Sequence, residues 1–113
     1  MIDRLLLSCL LALAFGVLAA QTSWAADATA GRKKASACQT CHGYDGIAKI
    51  PTAPHIAGES QIYLENQLKA FRSGKREHEI MSVIAQQLSD EDIADLSAWY
   101  SAIIIEVIVP ETQ

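Results

Sequence analysis

Apolar positions along this chain change spacing from segment to segment, and each spacing predicts a different element. From Leu5 to Ala20 the run is almost unbroken, with Arg4 before it and small residues at Ser23 and Ala25 after it. A charged start, an apolar middle and a small-residue end form the pattern of an export signal, here read over residues 1–25 with cleavage after Ala25. The run falls short of the roughly 20 residues a membrane-spanning helix needs. No transmembrane span is therefore expected in the mature protein, and Cys9 leaves with the signal.

Beyond it, three stretches carry helical spacing. The first covers about Thr29 to Thr40, with Asp27 or Thr29 as N-cap, and is weakly amphipathic because Arg32, Lys33 and Lys34 interrupt the apolar pattern. The second is "ESQIYLENQLKAFRSG", where Ser60 caps, Ile62, Leu64, Leu68 and Phe71 share a face, and Gly74 suits the position past the end. The third, "SDEDIADLSAWYSAI", is the clearest. Ser89 and Asp92 stand in capping-box spacing, and Asp90 and Glu91 complement the helix dipole. Ile93, Leu96, Trp99, Tyr100 and Ile103 then recur at helical intervals.

Between the first two helices, "GYDGIAKIPTAPHIAG" holds Asp45-Gly46, Pro51, Pro54 and Gly58, which suit neither a helix nor a central strand. A long loop in so small a domain is usually functional. No strand is read before the tail "IIIEVIVPETQ", so the expected fold is all-α in one domain. The tail's β-branched residues, Ile103 to Ile105 and Val107 to Val109, suit a helix poorly. Left exposed they make an adhesive edge. Residues 104–113 are read as a hydrophobic tail, a surface for self-association or partner docking, or else a segment packed back on the core.

Composition narrows the function. The chain has 113 residues and a net charge of −4, which survives cleavage because Asp3 and Arg4 leave together. An acidic chain has no general attraction to nucleic acid. The mature domain is also short for a self-sufficient core.

Chemistry concentrates in "ACQTCHGYDG", which sets Cys38, Cys41 and His42 together. Structural zinc needs four nitrogen or sulfur ligands, normally two such pairs, and only one pair is present. A dithiol redox pair belongs at a helix N-terminus after a strand, whereas this pair is read at the end of a helical stretch. The spacing Cys-x-x-Cys-His is that of a c-type haem attachment site, with two thioether bonds to one porphyrin and the adjoining imidazole on the iron. After an export signal, in a chain short of interior, that reading is favoured: haem supplies the missing core. For the iron's other face the candidates are His55, His78 and Met81, the only methionine left after cleavage. Met81 is read on a loop between "GKREHE" and "SVIAQQL", a position that favours a ligand over core filler.

At this point the chain resembles the small soluble class I cytochromes c of bacteria. The resemblance covers residues 27 to about 102 and rests on "AGRKKASACQTCHG", "PHIAGES", "YLENQLKAFRSGKR" and "MSVIAQQLSDEDIADLSAWY". It implies a class I cytochrome c fold over residues 26–103, three to five short helices wrapped around one covalently bound haem c. Cys38 and Cys41 would carry the thioether bonds. His42 and Met81 would be the axial iron ligands. The Pro54 carbonyl would accept the His42 Nδ1–H bond, fixing the ring and raising its basicity. Gly31 matches the small residue where first and last helices cross, facing Leu96 and Trp99. "GES" departs from the family's usual "GQ".

The implied function is one-electron transfer in the periplasm between redox partner proteins, with no catalytic acid, base or nucleophile. An iron held on both faces has no vacancy for substrate, and thioether ligation raises its potential. Two other readings stay open. One is a haem subunit of a larger periplasmic oxidoreductase complex, held by the tail. The other is a haem-based ligand sensor or small peroxidase, which needs a displaceable sixth ligand. Basic clusters at Arg32, Lys33 and Lys34 and at Arg72, Lys75 and Arg76 are candidate docking sites for an acidic partner.

Overall fold

The computed structural model describes residues 25–111; the export segment read over residues 1–25 lies, apart from Ala25, outside them. Five α-helices and one 3₁₀ turn follow one another, and no strand occurs among the described residues. They are α1 (Ala28–Lys34), the turn Ala35–Ala37, α2 (Gln39–His42), α3 (Gln61–Ser73), α4 (Met81–Gln86) and α5 (Asp90–Ser101).

Capping chemistry sets most of the boundaries. Asp27 opens α1 by accepting from the amides of Thr29 and Ala30, and Ser60 opens α3 by accepting from Tyr63 N. Ser89 and Asp92 form the reciprocal box at the start of α5, each side chain holding the other's amide. Gly74 closes α3 in the left-handed region.

Two local expectations are corrected. The first helix does not run unbroken to Thr40: it tightens at Ala35–Ala37, where Cys38 N bonds Ala35 O at 2.9 Å, and resumes as a single turn. Met81 is not on a loop but begins α4, a helix too short and too weakly patterned to be read from spacing.

The packing centres on the crossing of α1 with α5. Gly31 is buried there because only hydrogen fits: a Cβ would overlap the Asp95 carbonyl and lie 2.9 Å from Trp99 Cβ. Asp95, mid-helix and buried, accepts from Asp27 N at 2.8 Å and Lys34 Nζ at 2.7 Å. Helix α3 joins through Leu64 and Phe71, and Arg72 ties it to the α4–α5 corner by donating to Leu88 O and pairing with Asp90. The resulting core is thin: Ala35, Leu64, Leu96 and Tyr100, flanked by Ile56, Leu88, Trp99 and Ile103. These side chains surround a space they do not fill.

The loop from Gly43 to Gly58 is folded tightly on itself. Lys49 N bonds Cys41 O at 2.8 Å and Ile56 N bonds Gly46 O at 2.8 Å. Gly46 has φ +71°, and a Cβ there would meet Ala57 N at 2.6 Å. After α5 the chain is extended. Ile103 packs on the core, while Ile104, Val107, Ile108 and Val109 are exposed.

Candidate cofactor site

The unfilled space is a cavity of about 380 Å³ between α2, the Gly43–Gly58 loop, α3, α4 and α5. Its walls are mostly apolar, with Ile50, Ile56, Leu64, Leu68, Phe71 and Leu96 among them. Cys38, Cys41, His42, Pro54 and Met81 all line it, as do His55 and His78. The structure thus brings every residue singled out for the site to one chamber.

The three histidines differ in what their ring nitrogens do. His42 lies at the end of α2 and is buried, with Nδ1 2.9 Å from Pro54 O. A carbonyl only accepts, so Nδ1 carries the proton and the Nε2 lone pair is left free. In His55, Nδ1 receives the Ala48 N–H at 2.8 Å. In His78, Nδ1 receives Ile80 N–H and Met81 N–H at 3.2 and 3.3 Å. An amide only donates, so both neutral rings carry their proton on Nε2 and present no lone pair there. Only His42 is set up to bind a metal through Nε2.

Cys38 and Cys41 are both partly buried and form no disulfide with each other. The pair does not sit at the end of a long helix, as its sequence context predicts. Cys38 is instead the N-cap of the one-turn α2. One turn has little dipole to lower a thiol's pKa. Burial wins and pushes the Cys38 thiol up, partly offset by the neighbouring Tyr100 hydroxyl. That is the wrong direction for a nucleophilic thiolate. Among the described residues no three His, Cys, Asp or Glu side chains converge to hold a metal ion.

Tyr100 closes the floor. Its hydroxyl donates to Gly43 O at 2.9 Å, and burial pushes its ionisation well above the ordinary phenol range, so it remains a neutral donor. Ser97, next to it on α5, also lines the cavity. It is 1% exposed and its Oγ has no partner. A buried hydroxyl rarely stays unbonded. With the apolar walls, two thiols and one free imidazole lone pair, this orphaned hydroxyl fits a chamber shaped for a large, mostly apolar, metal-bearing group.

Sequence reading missed Ser97, the Tyr100 hydroxyl bond and the ring-nitrogen distinction. Tyr100 carried a usable signal, since a tyrosine on an apolar helix face needs a partner for its hydroxyl. The two basic clusters are also less free than the sequence suggests. Lys34 is held by Asp92 and Asp95, Arg72 by Leu88 O and Asp90, and Arg76 stacks 4.5 Å from the Phe71 ring centre.

Comparison with known proteins agrees with this chemistry. The family model described as Cytochrome c matches residues 28–101. Cytochrome c-554(548) of Halomonas halodenitrificans is 47% identical over 81 residues, covering 69% of this chain and 98% of that protein. Cytochrome c4 of Pseudomonas aeruginosa is 39% identical over 100 residues, covering 88% of this chain and 48% of that protein. Among solved structures, reduced recombinant cytochrome c4 from Pseudomonas stutzeri superposes with a TM-score of 0.66 at 34% identity, over 71% of this chain and 47% of that one. The chain spans about half the length of these c4 relatives and nearly all of c-554(548).

Proposed function

This chain belongs to the cytochrome c family, with the class I fold and a covalently bound haem c, and from that premise we propose how its residues hold the haem and where it works. It is an electron-transfer protein, and electron transfer implies redox partner proteins. One-electron storage at the iron is what the bound haem supplies.

Cys38 and Cys41 would carry the thioether bonds, and His42 would bind the iron through Nε2. The Pro54 carbonyl orients His42 by holding its Nδ1–H, which also makes the ring a stronger donor to a metal. Met81 would give its thioether as the second protein ligand of the iron, which would favour the ferrous state. The apolar walls from α3 and α5 keep water out and further disfavour the extra charge of ferric iron. No residue here acts as acid, base or nucleophile.

The observation that carries the axial assignment is the contrast among the rings. His42 alone keeps an Nε2 lone pair, while His55 and His78 spend Nδ1 as acceptors of backbone amides. Met81, which lines the same cavity, is left as the sixth ligand. Replacing Met81 by Ala tests this. Loss of the iron–sulfur charge-transfer band and a lower midpoint potential are expected. An unchanged band and potential would refute it.

The site of action is the periplasm, reached through cleavage of residues 1–25. Supporting this, Arg4, the apolar run from Leu5 to Ala20 and the small residues Ser23 and Ala25 follow the order of an export signal. N-terminal sequencing of the periplasmic protein should begin at Ala26. The exposed tail favours a second reading of its working state. Ile104 and Ile108 are 94% and 86% exposed, an arrangement suited to a haem subunit held against a larger oxidoreductase.

A further inference from the structure

Three observations meet just ahead of Met81. The first is a reciprocal cap. The His78 imidazole Nδ1 accepts from Ile80 N–H and Met81 N–H, while His78 N–H donates to Ser82 Oγ at 3.1 Å. The backbone then closes the first turn, with Ser82 N on His78 O at 3.0 Å and Ile84 N on Ile80 O at 3.1 Å. An imidazole nitrogen here does what an Asn, Asp or Ser oxygen does at an ordinary helix start.

The second is that α4 has little else to hold its beginning. It is six residues long, its preceding residue Ile80 gives no side-chain cap, and Ala85 is its buried residue. A helix of that length has no stability of its own. Without an acceptor at His78, the amides of Ile80 and Met81 would turn to water and the Met81 backbone would lose its orientation.

The third is that the cap is itself anchored. The His78 ring stands edge-on to Phe71, with centroids 6.5 Å apart and planes at 74°. Arg76 stacks on the same Phe71 ring, its Nη1 donates to Gln67 Oε1 at 2.6 Å, and its amide bonds Ala70 O at 3.1 Å. The segment leading to Met81 is thereby pinned to α3, which forms the far wall of the cavity.

We propose that His78 is a positioning residue for the sixth iron ligand, fixing the first turn of α4 so that the Met81 side chain is presented to the cavity in one orientation. The role rests on the assignment of Met81 made above. It requires an acceptor at Nδ1, not a charge and not a metal bond. Haem attachment and the His42 face are untouched by it.

The test uses the full haem-loaded protein with His78→Ala, His78→Asn and Met81→Ala. Two readouts are taken: hydrogen exchange of the Ile80 and Met81 amides in the ferrous state, and the charge-transfer band with the midpoint potential. In His78→Ala, exchange of both amides should rise roughly 3- to 30-fold, the factor expected for loss of one N-cap acceptor. The band should weaken and the potential fall. His78→Asn should restore both, because its side-chain oxygen accepts from the same amides, and this rescue separates acceptor chemistry from general loss of fold. If Met81→Ala abolishes the band but His78→Ala leaves band and exchange at wild-type values, the His78 proposal fails alone. Failure of His78→Asn to rescue a damaged His78→Ala also overturns it. If the band survives Met81→Ala, the ligand assignment fails, whatever His78 does.

Discussion

Lys34 Nζ sits 2.7 Å from Asp95 Oδ2, and that carboxylate is only 4% exposed. The pair joins α1 to α5 beside the Gly31 crossing. The Lys34 hydrogen bond, with help from Asp27 N–H, holds the Asp95 carboxyl below the usual carboxylate range against the opposing effect of burial. A depressed folded value means the contribution is complete above the unfolded pKa of about 3.9 and is lost as pH falls through the folded value. Lys34 is shifted the other way, upward, so its share persists through neutral pH and fades only in strong alkali. Thermal unfolding of the haem-loaded protein should therefore show an acid limb below about pH 4. Asp95→Asn, which keeps an acceptor for Asp27 N–H, should flatten that limb. Lys34→Met leaves a buried charge short of a partner. It should cost about 1–3 kcal/mol, discounted from a fully buried pair because Lys34 is 30% exposed.

The Gly31 crossing offers a sharper structural test. The obstacle a Cβ meets there is the backbone carbonyl of Asp95, which no rotamer change can move aside. Gly31→Ala would gain about 1 kcal/mol of helix propensity on an exposed helix. Here the steric conflict should outweigh it, and Gly31→Val should lose about 1–3 kcal/mol as the helices are forced apart. Urea unfolding followed by visible absorbance would give the difference in midpoint. Stability equal to wild type in Gly31→Val would mean the helices cross more loosely than the structure shows.

Tyr100→Phe removes a single oxygen. Its hydroxyl is the donor to Gly43 O, immediately after His42, and the loss leaves that buried carbonyl with the longer Gly46 N–H bond, at 3.3 Å. The cost should be about 0.5–1.5 kcal/mol. For a domain of this size that lowers Tm by roughly 4–8 °C per kcal/mol. Because the His42 Nδ1 bond is left intact, the charge-transfer band should be retained in the native protein at room temperature.

How far these features were legible from sequence depends on how local their causes are. The starts of α3 and α5 were readable because Ser60, Ser89 and Asp92 satisfy amides within three residues. The Cys38–Cys41–His42 motif was readable because its chemistry depends on spacing alone. Resemblance to the cytochromes c added Pro54, Met81 and the Gly31 crossing. What stayed hidden depends on partners far along the chain. Asp95 reads as a polar position on α5 until Asp27 and Lys34, more than sixty residues away, arrive to bury it. Trp99 gave no sign that its indole N–H would find Tyr44 O at 3.0 Å. Helix α4 escaped because its cap is a histidine, a residue no capping rule favours, and because its stability is borrowed from α3. The basic clusters were partly hidden for the same reason: Lys34 and Arg72 are committed to acidic partners that only the fold supplies.

The tail separates two roles that the sequence ran together. Ile103 is half-buried against the core, and Ile105 reaches Gly58, lying 3.2 Å from where a Cβ there would stand. Beyond Ile105 the side chains of Val107, Ile108 and Val109 are 73%, 86% and 77% exposed and contribute little apolar burial. Removal of residues 106–113 should therefore leave unfolding within about 0.5 kcal/mol of the full chain. Removal from Ile103 onward should be visibly destabilising, since Ile103 packs on the core cluster of Ala35, Leu64, Leu96 and Tyr100. If the exposed segment is a docking surface, the shorter truncation should also abolish whatever association the full-length protein shows in sedimentation at micromolar concentration, with potential and spectrum unchanged. A loss of stability on removing residues 106–113 would instead show that the segment packs on its own domain.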